Sequence, residues 1–228
     1  MSIADNYARI QDEIASACAL SGRSQDDIHM IAVTKFISME RIAQALDLGI
    51  KQIGENRAQE LQDKLEFFNS RNCDIHFIGQ LQTNKVKYIL GKVQLIQSVD
   101  RLAAAQEIQR LAQLNSVQQD ILVQVNIGHE DQKAGIDEDQ LLPFLETVSN
   151  MPNLHVKGLM CIPPNLPGDA VRPYFAKMRS LFERMKGQAL AQTDMQYLSM
   201  GMSGDFKEAI LEGSNMVRIG TALFGSRG

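Results

Sequence analysis

The chain has 228 residues, of which 44% are hydrophobic, and a formal net charge of −4. This length allows one large domain or two small ones, with enough apolar residues for a proper core, and the acidic balance argues against nucleic acid or a membrane as a partner. No apolar run is long enough to span a bilayer, and no signal core is present near the first residue, so we expect a cytoplasmic protein. We also expect a monomer. The cysteines are odd in number and far apart, which predicts reduced thiols, and the scattered histidines predict no metal cluster.

Short apolar strands alternate with amphipathic helical segments along the chain. The first half predicts a helix over residues 3–20, a strand over 30–33, a helix that Gly49 stops, a strand over 52–53, a helix over 57–68 and strands over 75–78 and 93–96. Ser98 or Asp100 is predicted to cap the next helix, which runs to Ala112. The second half predicts strands over 121–125, 155–161, 195–199 and 216–219, with helices from the cap Asp137 to Val148, over 171–185 and over 206–211 between them.

This alternation predicts an α/β fold with parallel strands, and a single (β/α)8 barrel is the commonest closure of such units. The pair Ile-Gly recurs at the ends of several strands, as a repeat of βα units would produce. An open doubly wound sheet is the alternative, and it would also bind its ligand at the carboxyl ends of the strands. The sequence contains neither Gly-x-Gly-x-x-Gly nor a Walker loop, so the barrel is favoured.

Two turns near the C-terminus have the composition of a phosphate site. They are Gly201-Met202-Ser203-Gly204-Asp205 and Val217-Arg218-Ile219-Gly220-Thr221, and each adjoins a predicted strand. Barrels commonly bind phosphate with the loops after strands seven and eight, through backbone N–H groups and hydroxyls such as those of Ser203 and Thr221. Lys35 follows the first strand, and its amine would form a Schiff base with an aldehyde. The sequence therefore predicts a phosphorylated aldehyde as the ligand.

Other polar residues also follow predicted strands and would converge at the same end of a barrel. They are Asn56, Gln80, Asp100, Asn126 and Arg218. Turn formation or helix capping explains polar residues at such positions as well, and Asp100 is assigned to capping. His76, inside the third strand, is predicted to be a hydrogen-bonded core residue.

At these residues the chain resembles the pyridoxal phosphate (PLP) homeostasis protein family, also called the YggS or PROSC family. The resemblance covers nearly the whole length, and its long motifs are specific. The matching segments are Ile31-Ala32-Val33-Thr34-Lys35, Gly54-Glu55-Asn56-Arg57-Ala58-Gln59-Glu60, residues 76–85, Val123-Gln124-Val125-Asn126, Gly158-Leu159-Met160, residues 198–205 and residues 213–225.

The resemblance implies one barrel over residues 1–228, like the PLP-binding domain of alanine racemase, with PLP held as a Schiff base on Lys35. By motif position, the phosphate would be held by Ser203, Gly220 and Thr221. Arg218 would face the pyridine nitrogen, and Asn56 would lie near the ring.

The chain departs from the family directly after Lys35. It has Phe36-Ile37-Ser38 where Thr-Lys-Pro or a similar run is common. The shape of the first loop is therefore the part of the site that the resemblance leaves open.

A reversible binder of PLP is favoured over a catalyst. PLP withdraws electrons strongly only when its pyridine nitrogen is protonated, and Arg218 can only donate a hydrogen bond to it. A racemase also needs a second proton-transfer group, and none of the tyrosines follows a predicted strand. We therefore expect a role in intracellular PLP homeostasis without catalytic turnover, with PLP-dependent apoenzymes as further partners. The alternatives are a PLP-dependent amino-acid racemase and a Schiff-base aldolase that acts on a sugar phosphate without PLP.

Overall fold

A computed structural model describes residues 2–130 and 132–225 of the chain. Within these residues, parallel strands pair in chain order and the eighth pairs with the first, which closes a barrel. The strands are β1 (His29–Val33), β2 (Gln52–Glu55), β3 (Asp74–Phe77), β4 (Leu95–Val99), β5 (Gln119–Val125), β6 (Leu154–Cys161), β7 (Thr193–Met202) and β8 (Met216–Ile219). The predicted (β/α)8 barrel is confirmed, and the carboxyl ends of all its strands meet at one end.

Helices connect the strands and form the outer layer. They are α1 (Ile3–Ser21), α2 (Met39–Asp47), α3 (Ala58–Ser70), α4 (Val86–Ile89), α5 (Leu102–Leu114), α6 (Leu141–Val148), α7 (Arg172–Lys186), α8 (Phe206–Leu211) and α9 (Thr221–Phe224). Ser2 and Asp5 form a capping box at the start of α1, and Gly22 ends this helix with a left-handed φ of 67°. In the described part of the chain, no helix is both long and apolar enough to cross a membrane.

Side chains along the strands alternate between the barrel interior and the helical layer. In β1, Ile31 belongs to a buried cluster with Leu122 of β5 and Met160 of β6. These strands lie far from β1 around the barrel, so the cluster fills the interior. Ala32, the next residue of β1, instead belongs to a cluster with Ile10 of α1. The middle of the barrel is therefore a packed core rather than a pore.

The region around β4 differs from the prediction. The predicted strand covers residues 93–96, but β4 spans Leu95–Val99. Ser98 is not a cap, because it lies buried inside β4 and donates a 2.5 Å hydrogen bond to the carbonyl oxygen of Gly79. Asp100 is not a cap either, because α5 begins at Leu102 and its N-cap is Arg101. The apolar pattern stops early since the strand continues through polar residues that form hydrogen bonds in the core.

Candidate functional site

A cavity of about 300 Å³ opens at the carboxyl ends of β7, β8 and β1. Its described wall includes most of the predicted site, namely Lys35, Ser203, Arg218, Gly220 and Thr221. Val33, Ile37 and Phe224 supply apolar wall. The structure thus brings together residues that are more than 180 positions apart in the chain, because both ends of the sequence meet where β8 pairs with β1.

The Ser203 hydroxyl connects the two predicted phosphate turns. Its oxygen accepts hydrogen bonds from the backbone N–H of Gly220 at 3.0 Å and from that of Ala222 at 3.1 Å. A serine hydroxyl has one donor proton and two acceptor lone pairs. With both lone pairs used by the backbone, the proton of Ser203 is left to donate to a ligand. This arrangement suits an anion, which accepts hydrogen bonds and offers none.

The turn that carries Ser203 is shaped by its neighbours. Gly201 has a φ of +91°, and a Cβ at this position would lie 2.5 Å from the Cβ of Ala209 in α8, so glycine is required there. Asp205 accepts a 2.6 Å hydrogen bond from the backbone N–H of Met202 and thereby closes the turn. Burial raises the pKa of the Asp205 carboxyl above its ordinary value.

Arg218 lies within β8, not after the strand as predicted, and its side chain is buried. The guanidinium donates hydrogen bonds to Ser199 Oγ at 2.7 Å and to the carbonyl oxygen of Cys161 at 2.8 Å. Both partners are neutral acceptors. Burial lowers the pKa of Arg218, but a guanidinium stays protonated in proteins. The cavity therefore has a fixed cation in its wall that can only donate hydrogen bonds.

A chain of polar side chains continues from Arg218 through the barrel interior. Ser199 donates to Gln97 Oε1 at 2.7 Å, and Gln97 Nε2 lies 2.9 Å from His76 Nδ1. The predicted hydrogen-bonded core histidine is thus found. Gln97 and Ser199 were not predicted to support the site. The signal that could have revealed them is a polar residue at an inward position of a buried strand, where it needs a partner.

Lys35 lies in the loop between β1 and α2 and is partly buried. Phe36 follows it with a φ of 59°, a left-handed conformation that bulky residues rarely adopt. The Phe36 ring lies 4.9 Å from the guanidinium carbon of Arg57, as in a cation–π contact. The departure from the family after Lys35 therefore coincides with an unusual backbone position.

Asn56 is the predicted site residue that the described cavity wall does not include. Its backbone is held tightly, since a Cβ on Gly79 would lie 1.9 Å from the Asn56 carbonyl oxygen. Its side-chain oxygen Oδ1 is buried and has no hydrogen-bond partner among the described residues. A buried polar atom of this kind is uncommon and is able to accept a hydrogen bond from a ligand. Its placement near a ligand ring stays a prediction.

Candidate acids and bases are few at the cavity. Among the described residues of its wall, Lys35 is the only side chain of the types that commonly transfer protons in enzymes, because Arg218 stays protonated. Tyr197 lies in β7 and packs edge-on against His29, with ring centroids 5.2 Å apart. Since His29 begins β1, this pair lies toward the amino end of the barrel, away from the cavity.

Comparison with known proteins identifies the family. The family described as alanine racemase, N-terminal domain, matches residues 3–228. A pyridoxal phosphate homeostasis protein of Aquifex aeolicus is 42% identical over 228 residues, which cover 100% of this chain and 99% of the relative. The chain belongs to the pyridoxal phosphate homeostasis protein family. The resemblance drawn from the sequence motifs is thereby confirmed.

Solved structures of similar proteins have the same barrel. A protein of Bifidobacterium adolescentis is 32% identical, with a TM-score of 0.93 and coverage of 97% of this chain and 94% of that one. PipY of Synechococcus elongatus, in a structure with PLP bound, is 32% identical, with a TM-score of 0.81 and coverage of 93% of this chain and 100% of PipY. These likenesses agree with the fold of this family member along nearly all of its length.

Proposed function

We propose that this protein binds PLP through Lys35 and serves in PLP homeostasis. The observation that supports this most directly is that Lys35, Ser203 and Arg218 line one cavity in a chain whose relative PipY has been solved with PLP bound. When bound, PLP supplies an aldehyde that condenses with amines and a ring that withdraws electrons. Lys35 provides the amine for that aldehyde, and one water is lost as the bond forms.

The remaining residues of the cavity fit the other parts of PLP. The Ser203 proton and the Thr221 hydroxyl suit a phosphate, which accepts charge-assisted hydrogen bonds, and Gly220 lines the same part of the cavity. Arg218 suits the pyridine nitrogen, because a fixed donor pairs with an unprotonated ring nitrogen. The Oδ1 of Asn56, which has no hydrogen-bond partner in the described part of the chain, is an acceptor for a polar substituent of the ring.

We propose further that the protein holds and releases PLP without turning over amino acids. The curated relatives are named homeostasis proteins, which favours this role over the racemase alternative. An arginine at the ring nitrogen weakens the electron sink, and a racemase needs a second proton-transfer group on the face opposite the lysine. A monomer in the cytoplasm that delivers PLP to apoenzymes is consistent with this role and belongs to the same proposal.

The colour of the purified protein tests the proposal against the aldolase alternative. A yellow protein that loses its colour with hydroxylamine supports PLP as the ligand, because hydroxylamine captures the aldehyde. A colourless protein that does not become yellow when PLP is added, but forms a reducible adduct with a sugar phosphate, would instead support the aldolase.

A further inference from the structure

The loop that carries Lys35 is held by an ionic cluster, which consists of the buried residues Glu55 and Lys64 and the partly buried Glu60. Lys64 lies in α3, and only 7% of its surface is exposed. Its ammonium group donates hydrogen bonds to Glu60 Oε1 at 2.7 Å, to Glu55 Oε1 at 2.9 Å and to the carbonyl oxygen of Thr34 at 2.8 Å. An ammonium group has three protons, and these acceptors use all of them.

Both chain neighbours of Lys35 are bound to the ionic cluster. On one side, the Thr34 carbonyl accepts from Lys64 and the Thr34 hydroxyl donates to Glu55 Oε1 at 2.6 Å. On the other side, the backbone N–H of Phe36 donates to Glu60 Oε1 at 2.5 Å. Phe36 has the left-handed φ of 59°, and such backbone strain persists only where the surroundings hold it. The contact with Glu60 is one such restraint.

We propose that Lys64 is a positioning residue for Lys35 and acts through the backbone of Thr34 and Phe36. Lys64 is not among the described residues of the cavity wall, so its influence has to pass through the loop. The inference rests on the proposed function, because it concerns the lysine that would bond to the aldehyde.

A purely structural role is the competing explanation. Glu55 is buried, and burial raises the pKa of its carboxyl, which Lys64 opposes. Lys64 would then serve only to neutralise that carboxylate. In that case, the removal of both charges should leave PLP binding unchanged, because buried ion pairs are often replaceable by neutral side chains. The positioning role differs in requiring the bond from Lys64 to Thr34.

The test compares two ligands on the full chain. PLP bonds to the amine, whereas pyridoxine 5′-phosphate has an alcohol in place of the aldehyde and cannot. In Lys64→Met and Glu60→Ala, affinity for PLP should fall by about tenfold or more, because the loop no longer preorganises the Lys35 amine. Affinity for pyridoxine 5′-phosphate should change by less than about twofold, since the phosphate turns are intact. The exposed residues Lys92 and Glu66 give the matched controls Lys92→Met and Glu66→Ala.

A second measurement needs no ligand. Hydrogen exchange at the Phe36 amide should speed up in Glu60→Ala and Lys64→Met relative to both controls, because the bond to Glu60 is removed or loosened. If Lys64→Met does not fold, the double variant Glu55→Gln/Lys64→Met removes the unpaired buried charge and still lacks the donor to Thr34. It should fold and show the same loss of PLP affinity.

The outcomes separate this inference from the proposed function. If the wild type binds PLP and the folded variants bind it with the same affinity, the positioning role is overturned and the proposed function stands. Equal losses for PLP and pyridoxine 5′-phosphate also overturn it, because they indicate a general disturbance of the barrel. A wild-type protein that binds no PLP overturns the proposed function and this inference together.

Discussion

The hydroxyl of Ser199 donates a 2.7 Å hydrogen bond to the side-chain oxygen of Gln97 across the interior of the barrel. Ser199 lies in β7 and Gln97 in β4, and these strands are not neighbours in the sheet. The same serine oxygen accepts from Arg218, and the same glutamine contacts His76. The orientation of the guanidinium in the cavity wall is therefore fixed by side chains on the far side of the barrel.

The first prediction concerns the pH dependence of stability through His76. Burial lowers the pKa of His76 from 6.5 to about 3. Because the folded state resists protonation, the unfolded state binds more protons between these pH values, and stability falls as pH drops from about 6.5 toward 3. The full shift corresponds to roughly 5 kcal/mol.

Replacement of this histidine should reduce the loss of stability at acidic pH. The free energy of unfolding of His76→Gln and of the wild type should be measured by urea titration from pH 8 to pH 4. The difference at pH 8 gives the packing cost of the substitution, since His76 is neutral there in both states. The gap between the two proteins should then shrink as pH falls. If the difference in free energy of unfolding stays constant over this range, His76 is not held in its neutral form by burial.

The fold and the phosphate turns were predictable because their signals are local. A short apolar strand, a helical spacing or a turn rich in Gly, Ser and Thr can each be recognised from a few consecutive residues. The supports of the site were not predictable in this way. Ser199 and Gln97 are 102 positions apart, and Lys64 and Thr34 are 30 apart, so only the folded chain shows these pairs.

The errors around β4 have the same physical origin. The sequence shows an apolar run that ends at Ile96, followed after Gln97 by Ser98, a residue type that commonly caps helices. Their partners, Ser199 and Gly79, lie on other strands or loops. Hydrogen bonds from distant residues therefore override the local capping preference of Ser98.

The second prediction concerns Lys35 as the attachment point. Lys35→Ala should abolish the Schiff-base absorbance while the circular dichroism spectrum stays that of the wild type, because the side chain contributes to the cavity wall rather than the core. Borohydride reduction of the wild type followed by peptide mass spectrometry should locate the pyridoxyl group on Lys35. Lys85→Ala and Lys207→Ala serve as controls and should retain the absorbance. A pyridoxyl group on Lys85 or Lys207 would show that the assignment is wrong.

The third prediction concerns the phosphate turns. Ser203→Ala and Thr221→Ala should each weaken PLP retention, since each removes a charge-assisted hydrogen bond worth about 1.5–3 kcal/mol. Ser203→Ala also removes the acceptor that links the N–H groups of Gly220 and Ala222 to the other turn. Equilibrium dialysis with PLP measures both losses. Pyridoxal, which lacks the phosphate, should bind far more weakly than PLP, and equal affinities would show that these turns bind no phosphate.

The last prediction is that amino acids are not turned over. An amino acid can still exchange with Lys35 for the aldehyde, because this needs only an amine and access. Removal of the α-proton should fail, since Lys35 is the one described proton-transfer group of the wall and Arg218 weakens the electron sink. Incubation with L-alanine in deuterated water should leave the α-carbon protonated by NMR. Deuterium uptake faster than with free PLP, and lost in Lys35→Ala, would favour the racemase alternative.

In Arg218→Glu, provided that PLP still binds, residual exchange should rise because a carboxylate keeps the ring nitrogen protonated. If exchange stays absent in Arg218→Glu, the lack of a second proton-transfer group is enough to explain why the α-proton is retained.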